Sequence, residues 1–444
     1  MRKIYIFTLF LLASLALNYF LYSKNLIELI TNQPVSIFHL QWPMERLFIE
    51  PFYGFAYYLL TMERTGYVFA LISWAVWIVI FTVLISKYKK SNLKQIVINS
   101  VFGVLFFVSV VLFVIMLPVS GPKLSNTNSY NVVDIHSHTT SSRDAIASVE
   151  SSIKLHKKHG FTNFFITEHD NVKGFRTIPH DINNNEDFIF PGIQIRTTEG
   201  VSVLLLSKKQ FSYEYFKEKS IKEIVSLAHD KGMLVVMPHW WKWNNPPLQE
   251  IVDSGIDGFE IYNCGYRYIS DEKRKSIIDI CKKNNLMMFG TIDWHGYGYM
   301  TNVWTVIQKR DNNNLFDILK SKPDIQIIVH DVKGSQSFIR YIFEPFSAFY
   351  YYIVNTQMKY VLSFYMICGV FIALFFYYRI KILIRIFSLT FSVLFLFSTF
   401  YYFNVFLHAP TKNVVIPETV LPLVGGFTVI WLVVWIINGK NIQS

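Results

Sequence analysis

Apolar positions crowd into the two ends of this chain and leave a polar middle. A helix that crosses the hydrocarbon of a bilayer needs about 20 mostly apolar residues. Three such stretches occur before the middle, at 4–21, 67–86 and 96–117, and three after it, at 360–376, 386–402 and 421–437. This predicts membrane regions at 1–118 and 346–444 around a central domain at 119–345. The first stretch follows Arg2 and Lys3 and ends without a small-x-small cleavage site, so it reads as an uncleaved anchor rather than a signal peptide.

Lysine and arginine beside the spans set the expected orientation. Arg2 and Lys3, then Lys87, Lys89, Lys90 and Lys94, then Arg379, Lys381 and Arg385, and finally Lys440 all fall on one side if six helices cross. Both termini are then cytoplasmic, and the central domain lies outside a multi-pass plasma-membrane protein. The loop after the first span also lies outside; its aromatic stretch reads in part as an interfacial segment.

The middle has a different period. Short apolar runs such as NVVDIH, FTNFFITEH, DFIFPGIQI, VSVLLL, MLVVMPH, GFEIYN, LMMFGTIDWH and IQIIVH read as strands. Between them SVESSIKLHKKHG, SIKEIVSLAHDKG, LQEIVDSG, SDEKRKSIIDICKKNN and FDILKSK have helical spacing, with Gly160 a stop and Ser270 a cap. Strands alternating with amphipathic helices predict an α/β domain with a mostly parallel sheet.

Composition sharpens this picture at two points. With 52% hydrophobic residues and 40 Phe, the chain is too apolar for an ordinary soluble enzyme. The formal charge of +11 is explained largely by Lys and Arg flanking the apolar stretches, and no interleaved basic and aromatic surface suggests nucleic acid. The cysteines Cys264, Cys281 and Cys368 form no CxxC; a Cys264–Cys281 bridge is the one pairing left open.

The chemistry gathers where strands end. His138, His169, His239 and His295 all come at or just after the end of an apolar run. In an α/β barrel such ends converge on one face, where active sites form. His136 and His138 are two apart, so on a strand they point the same way, and Asp293 and His295 repeat that spacing. Neutral imidazoles and carboxylates suit zinc, iron and manganese ions. His136, His138, Asp144, His169, His239, Asp293 and His295 are the expected metal ligands, with Asp293, His295 and His239 also expected at the catalytic step. Glu168 or Asp170 could orient an imidazole from behind. His330 ends a late apolar run and is a weaker candidate for the same site. His156 and His159 read as helix-surface residues, and His229 as a helix-end residue. Trp240, Trp241 and Trp243 read either as a pocket wall or as rim packing. No phosphate-binding glycine loop and no Gly-x-Ser-x-Gly elbow is present.

Taken in order, these residues resemble the PHP family of metal-dependent phosphoesterases. An opening D-x-H-x-H-T-x-x-S-x-D motif is matched by Asp134, His136, His138, Thr139, Ser142 and Asp144, with Ala145 where a glycine is usual. Thr167–Asp170 is similar to a T-D-H-D segment with Glu168 in the second place. Pro238–His239 is similar to an A-H-P segment, Gly255–Asn263 to a G-x-x-G-x-E-x-x-N element carrying Glu260, and Thr291, Asp293 and His295 to an S-D-x-H pair. The resemblance runs from about Asn131 to Ile328. It implies a distorted seven-stranded β/α barrel, flanked here by transmembrane helices, two or three divalent ions of zinc, manganese or iron, and phosphoester hydrolysis.

One departure stands out. A P-G-x-E motif, whose glutamate bridges metals, is replaced by Pro191–Gly192–Ile193–Gln194. Gln194 is therefore a candidate substrate contact or weak ligand, and Glu199 a candidate substitute for the missing carboxylate. The expected function is a membrane-bound phosphoesterase acting on a phosphorylated small molecule or an envelope or lipid-linked phosphate, with the bilayer but not nucleic acid as a partner. The alternatives are a PHP-like sensor or scaffold that binds metal without turnover, and a transporter with an accessory outer domain.

Overall fold

The computed structural model describes residues 2–22, 26–60, 64–116, 121–176, 178, 188–242, 245–265, 269–296, 302–310, 314–330 and 338–377. The middle of the chain forms an α/β fold. Its strands are β1 (Leu26–Glu28), β2 (Gln33–Pro34), β3 (His39–Gln41), β4 (Lys123–Ser125), β5 (Tyr130–Asp134), β6 (Asn163–His169), β7 (Ile189–Arg196), β8 (Ser202–Leu206), β9 (Leu234–Met237), β10 (Gly258–Asn263), β11 (Met287–Thr291), β12 (Val303–Gln308) and β13 (Ile325–His330). Eleven of them make one sheet in the order β11-β10-β9-β8-β7-β6-β5-β12-β13-β1-β2, and β3 pairs with β4 apart from it.

The sheet is mixed rather than mostly parallel. β5, β6 and β7 run parallel, as do β9, β10 and β11, but β8 is antiparallel to both β7 and β9. The short link from β7 to β8 explains this: a connection turning through Thr197–Gly200 with φ +79 at Gly200 returns the chain antiparallel, whereas a parallel return needs a crossover of a dozen or more residues. β12, absent from the sequence reading, is antiparallel to β5 and β13.

The sheet curls so that the segments beyond β5 and β11 meet. Asp293 N donates to His136 O at 2.9 Å, His138 N donates to Trp294 O at 3.0 Å, and Ser137 and Trp294 form a parallel bridge. This is one isolated bridge and not a ladder, so the continuous seven-stranded barrel implied by the resemblance is not reproduced as a hydrogen-bonded ring among the described residues. Gly290 lets β11 approach its neighbours: a Cβ there would meet the side chains of Val303 and Ile327. Thr305 Oγ1 fills the remaining space, accepting from Gly290 N at 2.9 Å and donating to Gly290 O at 2.7 Å.

The helices begin where their sequences supply a cap. Ser148 accepts from Ser151 N at the start of Val149–His159, and Gly160, at φ +88, closes that helix. Ser220 and Glu223 form a reciprocal capping box on Ile221–Asp230, and Ser270 caps Asp271–Asn284 by accepting from Lys273 N. His156 and His159 are not surface residues. Both are buried: His156 Nε2 lies 3.0 Å from Asp134 Oδ2, and His159 Nδ1 donates to Pro122 O at 3.1 Å. His229 remains on the exterior, 3.0 Å from Asp257. No disulfide joins Cys264 and Cys281, which are both buried.

The segment after the first helix does not simply lie at an interface. It contributes β1, which pairs antiparallel with β13 in the register Leu26↔His330, and β2 beyond it. Glu28 fixes the turn between them by accepting from Thr31 N at 2.7 Å. The chain then enters the helix Arg46–Leu60, where Arg46 and Glu50 are buried together with two hydrogen bonds of 2.6 and 2.8 Å, and Tyr352 OH donates to Glu50 at 2.8 Å.

Among the described residues one helix, Phe69–Tyr88, is long and apolar enough to cross a membrane; Phe7–Leu21, Leu93–Val108 and Met358–Val370 are apolar but shorter. Of the six expected spans, one meets this test among the described residues. The stretches expected at 386–402 and 421–437 lie outside the described residues.

The tight approach at Gly290 generates a test. Gly290→Ala should lower stability by about 1–3 kcal/mol through overpacking against Val303 and Ile327. Urea unfolding followed by tryptophan fluorescence measures this, and an unchanged midpoint would show that the strands have room to separate.

Candidate metal centre

The curled sheet gathers side chains from five strand ends. His136 and His138 follow β5, His169 ends β6, Gln194 lies on β7, His239 follows β9 and Asp293 and His295 follow β11. Parallel pairing of β6 with β7 sets His169 beside Gln194. Two compact groups result, each with its ligand atoms within 4.8 Å of one another: His136, His239 and Asp293, all buried, and His138, His169 and His295.

The backbone is held in unusual conformations at two of these positions. His239 has φ +30 and Asp293 φ +48, in a region that residues other than glycine rarely adopt. Such strain persists only where surrounding contacts over-determine it, and it clusters at functional sites. At Asp293 the contacts are its N–H to His136 O and the His295 Nδ1–H to its own carbonyl, both 2.9 Å.

Hydrogen bonds behind the imidazoles fix which nitrogen faces inward. His136 Nδ1 donates to Glu260 Oε1 at 2.7 Å. Glu260 is fully buried and also accepts from Thr291 Oγ1 at 2.7 Å, His239 N at 2.8 Å and Asn263 Nδ2 at 3.0 Å. His138 Nδ1 donates to Ser142 Oγ at 3.2 Å, while Ser142 Oγ donates to Glu168. In both histidines Nε2 is left pointing at Asp293 Oδ1, 3.3 Å from His136 and 3.2 Å from His138. Carboxylate or hydroxyl partners behind a metal-binding imidazole select its tautomer and raise its basicity in this way.

Fit to a cation shows in what these atoms lack. His138 Nε2 and Asp293 Oδ1 are buried and make no aligned hydrogen bond despite their closeness, and Asp144 Oδ1 is in the same condition. Buried polar atoms are nearly always satisfied. A divalent ion accepts the lone pairs of all three, and imidazole with carboxylate is a donor set suited to zinc, manganese or iron. The second group gains a carboxylate from Asp144, whose Oδ2 lies 3.4 Å from His169 Nε2 and 3.6 Å from His295 Nε2.

Charge follows the same division. Burial disfavours the imidazolium of His136, but the carboxylates of Asp293 and Glu260 outweigh it and hold its pKa up to about 10. Burial and the neighbouring imidazoles of His169 and His295 push His138 well below the usual histidine range, and burial takes His239 down to about 4. Burial opposes ionisation of Asp293 and Asp144, yet the facing imidazoles hold both carboxyls well below the usual range.

Four other candidates lie elsewhere or act differently. Glu168 touches no imidazole. It is buried and clamps the turn after β5, accepting from Thr139 N at 3.1 Å and from the Thr139 and Ser142 hydroxyls. Asp170 accepts from Arg196 N at 3.2 Å and orients no imidazole in the described contacts. Glu199 is exposed and faces Ile221 N at the start of the next helix, because the β7–β8 turn carries it away from the strand ends. His330 is buried beside the Trp42 ring, 5.7 Å between centroids, since β13 pairs with β1 on the far side of β12. Trp240 donates to Pro246 O at 2.9 Å and packs on the core, Trp241 is buried, and position 243 lies outside the described residues.

Sequence reasoning missed Asn263, which donates to both Glu260 and Asp293 Oδ2, and Ser142 as the link between His138 and Glu168. Both stand inside the quoted motifs, but Ser142 has Glu168 as a partner 26 residues away and Asn263 has Asp293 30 residues away, and only the fold makes those connections.

No family model and no curated protein matches the chain. Solved structures do. One is a two-domain protein from Bacteroides vulgatus described as containing a predicted PHP-like metal-dependent phosphoesterase: 15% identity over 48% of this chain and 69% of that one, TM-score 0.32. Another is an amidohydrolase from Chromobacterium violaceum: 10% identity over 45% of this chain and 98% of that one, TM-score 0.32. A third is the lesion-specific endonuclease PfuEndoQ from Pyrococcus furiosus: 16% identity over 45% of this chain and 57% of that one, TM-score 0.36. Likenesses of this size assign neither a family nor an activity. The third nevertheless corrects one expectation: with a DNA-lesion endonuclease among the matches, nucleic acid is no longer excluded as a partner.

The charge pattern predicts how ion uptake depends on pH. With its pKa held to about 10, metal-free His136 carries a proton on Nε2 at neutral pH, and an ion must displace it. Apparent affinity should therefore rise about tenfold per pH unit up to that value and fall in acid, with about one proton released per ion bound in the first group. Titration calorimetry in buffers of different ionisation enthalpy reads this directly, and uptake without proton release would contradict it. In the second group, Ser142→Ala should weaken ion binding about 10–100-fold by freeing the His138 tautomer.

Proposed function

We propose that this protein is a metal-dependent phosphoester hydrolase whose centre holds two divalent ions. The observation that carries the reading is the pair of three-residue ligand groups placed side by side, with His138 Nε2 and Asp293 Oδ1 left unsatisfied. His136, His239 and Asp293 would hold one ion, and His138, His169, His295 and Asp144 the other. A bound pair of this kind supplies an activated water near neutral pH and offsets charge on a phosphoryl oxygen. Glu260 keeps His136 in its ligating tautomer, and the Glu168–Ser142 link does the same for His138. The turn clamped by Glu168 keeps the two His-bearing segments at fixed separation.

The proposal extends to location. The apolar helix Phe69–Tyr88 supports membrane attachment; with the apolar helix Leu93–Met116 crossing as well, the lysines between the two stay inside and the α/β domain lies outside. A membrane-confined phosphate ester fits that setting, and soluble monoesters and nucleic-acid phosphodiesters belong to the same chemical class.

A second reading has its own observation. Gln194 spans the first group, with Oε1 3.1 Å from His136 Nε2 and Nε2 3.3 Å from His239 Nε2. A neutral amide there suits a centre that binds metal and senses it without turnover. The two readings separate on one assay. Detergent-purified protein loaded with manganese or zinc is offered phosphomonoesters, phosphodiesters, oligonucleotides and lipid phosphates. Hydrolysis that is lost with a chelator and falls more than about 100-fold in His138→Ala supports the enzyme, since direct ligands should cost more than their outer partners do. Tightly bound metal with no turnover on any class supports the sensor.

A further inference from the structure

The geometry points to Asp293 as the one carboxylate shared by both ligand groups, with Gln194 a neutral donor confined to the first; this rests on the two-ion reading above. Asp293 Oδ1 lies 3.3 Å from His136 Nε2 in the first group, and 3.2 Å from His138 Nε2 and 3.7 Å from His295 Nδ1 in the second. Gln194 meets His136 and His239, which are both in the first group.

Three features prepare Asp293 for this position. Its two oxygens are differentiated: Oδ2 accepts from Asn263 Nδ2 at 3.3 Å, while Oδ1 is buried without an aligned hydrogen bond. Its backbone, in the left-handed region at φ +48, is tied to His136 O. Gly265 leaves it space, since a Cβ there would come 3.0 Å from Oδ2. A negative charge between two cations is worth more than an amide dipole beside one. The carboxylate that the sequence lacks at position 194 is therefore supplied by position 293, where it faces both groups.

The consequence is an asymmetry between the two residues. Removing the charge at 293 removes a ligand from both ions, whereas removing the amide at 194 affects one. The experiment measures manganese stoichiometry and affinity by elemental mass spectrometry on the full chain in detergent, stripped with chelator and reloaded, with thermal melts as a folding control. Wild type should bind about two ions, and His169→Ala about one. Gln194→Ala should weaken one ion by about tenfold or more and leave the other unchanged, and the nearly isosteric Asp293→Asn should weaken both by at least that factor. Asp293→Asn retaining one ion at wild-type affinity, or Gln194→Ala weakening both, would overturn the assignment. A measurement on wild type needs no variant to fold: a shared carboxylate should give exchange-coupled manganese signals in the electron paramagnetic resonance spectrum. Two uncoupled manganese signals at full loading would overturn the shared ligand while leaving the two-ion hydrolase reading intact. A wild-type chain that takes up no ion would overturn both.

Discussion

The contact between the segment after β5 and the segment after β11 governs the rest of the site. β11 stands at one edge of the sheet order and β5 well inside it, so nothing in the ladder itself joins them. Curling of the sheet brings their ends together, where Asp293 N and His138 N each find a carbonyl on the other segment. Two short motifs with alternate ligand residues then lie side by side, and their inward atoms share one space. Asp134 reinforces the junction by accepting from both His136 N and Ile292 N, at 3.3 and 3.2 Å. His156 in turn packs against Asp134 from the first helix of the domain. A buried carboxylate tied to two strand ends and one helix makes the position of His136 a property of the whole domain.

Around that junction the structure separates holding from ligating. Glu260 and Glu168 are as deeply buried as any ligand candidate, but each spends its oxygens on hydrogen-bond donors. The atoms left over are His138 Nε2, Asp293 Oδ1 and Asp144 Oδ1. A buried polar atom without a partner costs about 1–3 kcal/mol, and several together in one space are hard to sustain unless something fills the space between them. This is the physical ground for a metal centre, and it does not depend on likeness to any other protein.

The α/β domain and the apolar helices are also less separable than their compositions suggest. β1 and β2 come from the segment between the first two helices and extend the sheet beyond β13. Just after them, Arg46 and Glu50 are buried with Tyr352, and the Arg46 guanidinium lies over the rings of Trp42 and Tyr360. Breaking a buried pair of this kind leaves a charge with no solvent and is strongly destabilising, by about 3–5 kcal/mol. The helices therefore hold the sheet by polar as well as apolar contacts.

The sequence by itself determined the period of each segment and the residues at its ends. Alternation and helical spacing, with a stop at Gly160 and a cap at Ser270, are local properties, and they located nearly all of the central strands and helices. The clustering of His and Asp after apolar runs was legible for the same reason, because a strand projects its last residues toward one end of a sheet. Only the tertiary structure decided what depends on distant neighbours. It reversed β8 through a short turn, added β12 and the N-terminal strands, and buried His156 and His159 on a helix whose polarity suggested exposure. It also sent Glu199 and His330 away from the strand ends and gave Glu260, Asn263 and Ser142 their partners. Those outcomes rest on how strand tips converge and on which polar atoms remain unsatisfied there. No spacing along the chain encodes either, since the atoms concerned meet only after the sheet has curled.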